Sequence, residues 1–371
     1  MKHWGTYMQK TIKRLLWLFL AWISFFILSY LYSEDISLRL GSGTLGIFYT
    51  EFALGSLPLI FYLLFWSRKH KFQEESRDIY FLRVSFGYLW VLDAFLQMQP
   101  GMNEYFAAMT IATNVSTGGI TGYFAVLGLS LWNMHPLVFD VVASLIQLYI
   151  GTLFLTSNGG RTYSRIQVLA ILWGILIWVF GEGFGGSLQP EATILTGFPG
   201  SVLFYVYTSF ILLLSAKNYD NMIRKSSYLF GGLVFLTALI VQLIPSNEYF
   251  PRMSSLFMQM PSPYDMLNFA NNFQYYFTQS LVWPDIMTIA LISISMFGWL
   301  SGKSFGYVFS GVIAIFSWVI FEGMGMLGIL STDPNTGLPL LIISIFFYLR
   351  AKNSLTMRTR STIQKVCWSR D

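Results

Sequence analysis

The chain has 371 residues, of which 54% are hydrophobic and only 11% are charged, whereas soluble domains carry about 25% charged residues. So few charged side chains exclude a fully water-facing surface, and lipid must solvate much of the chain. The net charge of +5 reflects membrane topology, as shown below, and gives no reason to expect nucleic-acid binding.

Apolar stretches near the spanning length of about 20 residues recur along the chain. The first one follows a basic run, but no small-residue cleavage site comes after it, so we interpret it as a retained anchor helix rather than a signal peptide. The last one is short for a bilayer. The ten predicted spans are 12–32, 44–66, 80–98, 137–156, 166–185, 197–215, 228–244, 284–300, 305–325 and 337–350.

Two long segments between spans, 101–136 and 246–283, are aromatic, rich in Met and amphipathic. We expect interfacial or re-entrant helices in both of them. The alternative is a span over 104–131, which would move Arg161 and Arg165 to the outer side and break the charge asymmetry.

The charge asymmetry sets the orientation, because Lys and Arg are retained on the cytoplasmic side. With the N-terminus inside, 21 of the 23 basic residues lie on the inner side, and 13 of the 18 acidic residues lie in outer loops or within spans. The sequence therefore predicts a multi-pass protein of the cell membrane with both termini in the cytoplasm.

The chain also repeats itself. Residues 178–199 and 318–339 align without gaps at an offset of 140 and share the pattern W-V-x-x-E-G-x-G, ten residues, T-G-x-P. A second match lies upstream, where Asn103–Phe106 corresponds to Asn247–Phe250 at an offset of 144 and Pro100 to Pro245 at 145. A looser match pairs His135-Pro136 with Trp283-Pro284.

The repeating unit has four spans, and an even number of spans makes the two copies parallel. The predicted fold class is thus all-α, a polytopic transmembrane helical protein with about ten spans. It would comprise an N-terminal two-helix segment (1–79), a first four-helix repeat (80–216), and a second repeat with a basic cytoplasmic tail (217–371).

The motif residues have a structural interpretation, since Gly ends helices, Thr caps them and Pro is tolerated in a first turn. The structural set is Gly183, Gly185, Gly323, Gly325, Thr196, Gly197, Pro199, Thr336, Gly337 and Pro339. Glu182 and Glu322 are open to two interpretations: each caps a neighbouring helix, or each serves as a proton relay, cation ligand or substrate-facing base.

Four further acidic residues lie at membrane depth, namely Asp93, Glu51, Asp140 and Asp285. An ionised carboxylate in the hydrocarbon region is costly, so such residues usually line a polar interior. With Glu182 and Glu322 they form the candidate proton or ligand site. Asp93 and Gln97 are four residues apart and should share one face of a helix. The alternative for Asp93 is a structural hydrogen bond to a neighbouring helix.

Intrinsic cofactors are not predicted. One cysteine and three histidines provide no cluster site and no bis-histidine haem site, and we predict no metal site. The chain has no Gly-rich phosphate loop, CxxC, HExxH or nucleophile elbow, so the sequence leaves catalytic residues, and whether the protein is an enzyme, undecided.

The repeating unit resembles the DoxX/DoxD-like four-helix membrane family. The resemblance is carried by Arg83-Val84-Ser85-Phe86-Gly87 at the start of a span, by the helix-ending Glu-Gly-x-Gly and by the four-span organisation, and it covers about 80–350 as two fused units. The stretch 178–186 also resembles prokaryotic multi-pass proteins. The family includes the membrane subunit of thiosulfate:quinone oxidoreductase, and the resemblance transfers no catalytic residue by position.

The leading hypothesis is a membrane subunit of a respiratory or redox-linked complex that binds quinone or a partner at the outer face. Its partners would be the lipid bilayer and other membrane or outer-face subunits. The alternatives are a small-solute or cation transporter built on a parallel repeat, and a structural membrane anchor.

Overall fold

The computed structural model describes residues 75–97, 107, 119–157, 160–186, 193–243, 282–318 and 335–368. These ranges contain nine α-helices and no strand. The helices are α1 (Arg77–Gln97), α2 (Gly119–Met134), α3 (Pro136–Thr156), α4 (Gly160–Phe180), α5 (Ser201–Ala216), α6 (Asp220–Leu243), α7 (Val282–Leu300), α8 (Ser304–Phe316) and α9 (Gly337–Trp368). The predicted spans 12–32 and 44–66 lie outside the described residues.

Eight of the ten predicted spans overlap a described helix, and several bounds differ at the helix ends. The helix predicted over 228–244 begins at Asp220, because an acidic residue in the first turn is favourable at a helix N-terminus. The helix predicted over 166–185 ends at Phe180, because Gly183 and Gly185 adopt positive φ values that end a helix. Within 101–136, the structure has the 16-residue helix α2.

Three helical segments are long and apolar enough to cross a membrane: Val138–Thr156, Gly160–Phe180 and Asp220–Leu243. They carry large apolar side chains on their exposed faces, among them Leu145, Leu172 and Leu233. Exposed apolar faces of this extent are unfavourable in water and mark contact with another apolar phase. The protein is therefore helical and associates with a membrane.

Helix α1 lies at the centre of the bundle, with α3, α5 and α9 packed around it. The described side chains from Asp78 to Gln97 are all buried. Its approach to α3 is close, because a Cβ on Gly151 would lie 2.6 Å from Val91 and one on Gly87 would lie 2.9 Å from Phe154. Because α1 is enclosed by protein, it can carry charged residues that a lipid-facing helix excludes.

The remaining helices pack as neighbours in sequence: α4 on α5, α6 on α7, α7 on α8, and α8 on α9. Aromatic side chains fill the spaces between them. Trp299 makes edge contacts with Tyr307 and Phe347 at 5.0 and 5.1 Å, and Tyr207 stacks on Phe230 at 3.6 Å.

Charged side chains gather at one end of the bundle, which we name the ion-paired end. Arg83 donates two hydrogen bonds to the Glu75 carboxylate, at 2.9 and 2.8 Å, and a third to the Phe154 carbonyl. Arg350 of α9 pairs with Asp78 of α1 at 2.7 Å and also with Asp220 of α6. Arg350 thus joins the starts of α1 and α6.

Candidate functional site

The opposite end of the bundle, which we name the motif end, is built by the W-V-x-x-E-G-x-G and T-G-x-P residues of the first sequence copy. The indole N–H of Trp178 donates to the Pro199 carbonyl at 2.8 Å. The Glu182 carboxylate accepts from the Ser201 hydroxyl at 2.6 Å and from the Val202 N–H at 3.2 Å. The motif thereby fixes the end of α4 to the start of α5, and Glu182 caps α5 in the manner of a helix N-cap.

Two glycines make this closure sterically feasible. Gly185 has a φ of +62°, and a Cβ built on it would lie 1.8 Å from the Pro199 carbonyl oxygen. Gly200 has a φ of +98°, and its Cβ would lie 2.4 Å from the Glu182 carboxylate. Backbone approaches this close require glycine.

Helix α2 touches the bundle at this same end. The ring of Phe124 lies 5.8 Å from that of Phe180 and 5.7 Å from that of Phe184. A Cβ on Gly128 would lie 3.0 Å from the Phe180 carbonyl. Helix α2 therefore lies against the end of α4, and only His135 separates it from α3.

Three polar residues of α1 and α3 are buried near the motif end: Asp93, Gln97 and Asp140. The Gln97 side-chain amide donates to Asp140 Oδ1 at 2.7 Å. Asp93 is 4% exposed and Gln97 is 3% exposed, and their spacing of four residues places them on one face of α1. The shared face predicted for these two residues therefore lies inside the bundle.

Asp93 is about level with the start of α5. Tyr205 of α5 lies between Phe86 and Trp90 of α1, with ring centroids 5.1 and 4.8 Å away. Asp93 follows Trp90 by three residues, and Ser201 precedes Tyr205 by four. Because α1 and α5 are antiparallel and helices advance about 1.5 Å per residue, both residues lie about one turn from the Tyr205 contact, toward the motif end. Helix N-termini favour nearby negative charge.

The two T-G-x-P motifs also meet at the motif end. The Thr336 hydroxyl donates to the Gly197 carbonyl at 2.7 Å, although the two residues are 139 positions apart. Ser317 reaches the same segment and donates to the carbonyls of Ile194 and Leu195 at 3.2 and 3.1 Å. We name Asp93, Gln97, Asp140, Glu182 and the T-G-x-P residues together the polar layer.

The structure thus gathers Asp93, Asp140, Glu182, Gly183, Gly185, Gly197, Pro199, Thr336, Gly337 and Pro339 at one end of the bundle. For Asp285 it describes the backbone position, within the first turn of α7. For Thr196 it likewise describes the backbone position, at the end of a 3-10 turn. Glu51, Glu322, Gly323 and Gly325 lie outside the described residues.

Sequence reasoning did not single out two buried polar residues of α3, Ser144 and Gln147. With Asp140 and Gly151 they occupy positions four, three and four residues apart, so they share one face of α3. That face lies against α1, because Asp140 contacts Gln97 and Gly151 contacts Val91. The spacing is visible in the sequence, but neutral Ser and Gln are a weaker sign of function at membrane depth than carboxylates, which are costly there.

No family model, curated protein or solved structure matches the chain.

Proposed function

We propose that the chain is a membrane subunit of a respiratory or redox-linked complex and that it binds a quinone headgroup at the polar layer. The observation that supports this proposal most directly is a buried hydrogen-bond donor on the same helix face as a buried carboxyl group. Trp90 is 1% exposed, and within the described part of the chain its indole N–H has no hydrogen-bond partner. Asp93 follows one turn later on the same face of α1.

A quinone headgroup matches this arrangement chemically. Its two carbonyl oxygens accept hydrogen bonds, and its reduction takes up protons. The Trp90 N–H would donate to one carbonyl, and the Asp93 carboxyl group, three residues further along α1, would exchange a proton with it. Phe86 and Trp90 pack edge to face with Tyr205, and these rings would form the aromatic side of the site. Buried polar groups without partners are costly, so a ligand that supplies the missing acceptor is favoured.

The motif end would face the outer side of the membrane. The partition of basic residues, 21 of 23 on one side of a ten-span arrangement, would put the ion-paired end in the cytoplasm. Partner subunits would then reach the quinone from the outer face. The resemblance to the DoxX/DoxD-like family, whose members include the membrane subunit of thiosulfate:quinone oxidoreductase, supports the same assignment as an analogy.

A duplicated four-helix unit is part of the proposal, and one set of helix contacts supports it. A Cβ on Gly87 would lie 3.1 Å from Leu155, and one on Gly232 would lie 2.7 Å from Leu300. Gly232 follows Gly87 by 145 positions, and Leu300 follows Leu155 by the same number. The same offset relates Pro100 to Pro245, Gln97 to Gln242 and Asp140 to Asp285.

A specific observation favours the second candidate, a small-solute or cation transporter. The halves contact each other at both ends, through Thr336 and Gly197 at the motif end and through Arg350 and Asp78 at the ion-paired end. Transporters built from repeats move one half against the other around a site between them.

Quinone titration of the purified protein tests the leading proposal. A short-chain ubiquinone is added in detergent, and its affinity is measured by calorimetry for the parent, for Trp90→Phe and for Asp93→Asn. We expect Trp90→Phe to weaken binding about fivefold, because it removes one hydrogen bond worth about 1 kcal/mol. Asp93→Asn retains a hydrogen-bond donor and should weaken binding less, but it should remove the pH dependence of binding, because an amide does not titrate.

The matched controls are Trp173→Phe, on α4, and Asp220→Asn, at the ion-paired end, and both should bind like the parent. Equal affinity in the parent and in the two α1 variants would contradict the assignment of the site. Loss of quinone binding in all five proteins would reject quinone as the ligand.

A further inference from the structure

The α3 face that lies against α1 carries a row of oxygen atoms. Asp140, Ser144 and Gln147 are 7%, 1% and 6% exposed. One oxygen of Asp140 accepts from Gln97. Within the described part of the chain, the Ser144 hydroxyl oxygen and the Gln147 carbonyl oxygen have no hydrogen-bond partner. Buried polar atoms are nearly always partnered, so each exception calls for an explanation such as an ion or a ligand.

The part of α1 that faces these oxygen atoms is small and carries no positive charge. On α1, Gln97 contacts Asp140 and Val91 approaches Gly151. Ala94 lies midway between Val91 and Gln97 on the same side of the helix, is fully buried and has a side chain of one methyl group. Asp93 is its neighbour. The closest basic residue on α1 is Arg83. Its guanidinium contacts the Phe154 carbonyl, seven positions or about 10 Å along α3 from Gln147, and it is already paired with Glu75.

The second half of the chain provides an internal comparison. At the offset of 145, Gln97 and Asp140 correspond to Gln242 and Asp285, so the glutamine–aspartate combination is duplicated. Ser144 and Gln147 correspond instead to Ile289 and Ile292, and Asp93 corresponds to Ala238. The duplicated residues suit a role in helix packing common to both halves. Helix α7 buries the hydroxyl groups of Thr288 and Ser295 at other positions, so the difference between the halves lies in the Asp93 carboxyl group and the Gln147 amide, which have no counterpart in the second half.

We propose that this α3 face binds a monovalent metal cation of the sodium class, with Asp140, Ser144 and Gln147 as oxygen ligands. Hard cations select carboxylate, hydroxyl and amide oxygens. A carboxylate with neutral oxygens matches the charge of a monovalent ion, and divalent sites recruit more carboxylates. This inference goes beyond the quinone proposal and does not depend on it, since the α3 oxygens are distinct from the Trp90 N–H.

Thermal unfolding of the purified protein tests the cation site. The melting temperature is measured in rising NaCl, with choline chloride keeping the ionic strength constant. A ligand that binds the folded state raises Tm in a saturable manner, and we expect a rise of about 3 °C or more for the parent. Gln147→Leu preserves volume but removes the oxygen, and it should lose the sodium-dependent rise.

The matched control is Gln167→Leu, which replaces a fully buried glutamine of α4 and should retain the full rise. Because a variant can fold poorly, binding of radioactive ²²Na⁺ to the parent is measured directly, with unlabelled Na⁺, Li⁺ and K⁺ as competitors. Saturable ²²Na⁺ binding displaced by unlabelled Na⁺ supports the proposal. A parent without saturable binding, or a Gln147→Leu variant with the parent's sodium-dependent rise, overturns it whatever the outcome of the quinone titration.

Discussion

Replacement of Arg83 by methionine is expected to lower the free energy of unfolding by about 3–5 kcal/mol, the usual cost of breaking a buried ion pair from one side. The Arg83 and Glu75 side chains are only 4% and 9% exposed. The substitution would leave the Glu75 carboxylate buried without its two guanidinium donors, and the Phe154 carbonyl would lose its donor as well. Thermal or denaturant unfolding of the purified protein measures the change.

The double variant Glu75→Gln with Arg83→Met separates the charge effect from the loss of packing. With the carboxylate neutralised, most of the stability should return, because a buried ion pair replaced on both sides is often close to neutral. A single Arg83→Met variant as stable as the parent would show that the ion pair contributes nothing to the fold.

Substitution of Gly185 by alanine is expected to destabilise the motif end by about 4 kcal/mol or more, which is exceptional for one methyl group. The added Cβ would lie 1.8 Å from the Pro199 carbonyl oxygen and 2.4 Å from the Gly200 nitrogen. Those atoms belong to backbone that Trp178 and Glu182 hold in place, so the turn cannot move away without losing the cap of α5. Expression level and melting temperature in detergent report the effect.

Gly119→Ala is the matched control for this substitution. Gly119 also has a positive φ, +58°, but its Cβ would meet nothing within 4 Å. The control should therefore cost only the backbone strain, about 1 kcal/mol. Similar losses for both variants would mean that the close approach of Gly185 to Pro199 does not constrain the fold.

Much of the helical organisation could be predicted because lipid exposure produces long apolar runs. The predicted spans 80–98, 137–156 and 284–300 coincide with α1, α3 and α7 within a few residues. Boundaries were less predictable where a polar terminal turn extends a helix, as at Asp220, or where glycines stop one, as after Phe180. Hydropathy registers neither effect, since both depend on the backbone at the helix ends.

The candidate site was only partly predictable. Spacing placed Asp93 and Gln97 on one face of α1, and both are buried. Their relation to Asp140 required the antiparallel register of α1 and α3, which depends on glycine contacts between helices 64 positions apart, Gly87 and Gly151. The capping contacts of Glu182 likewise join residues about 20 positions apart across a turn. A single sequence records neither register nor turn closure.

Labelling from the two sides of the membrane tests most directly the claim that the polar layer faces outward on a ten-span bundle. Single cysteines are placed at Ser157, Ser187, Lys217 and Ser331 in a chain whose only natural cysteine, Cys367, is replaced by serine. A membrane-impermeant maleimide added to intact cells should label positions 187 and 331, and should reach 157 and 217 only after the cells are opened. Labelling of position 157 in intact cells would contradict the arrangement and, with it, the outward-facing site.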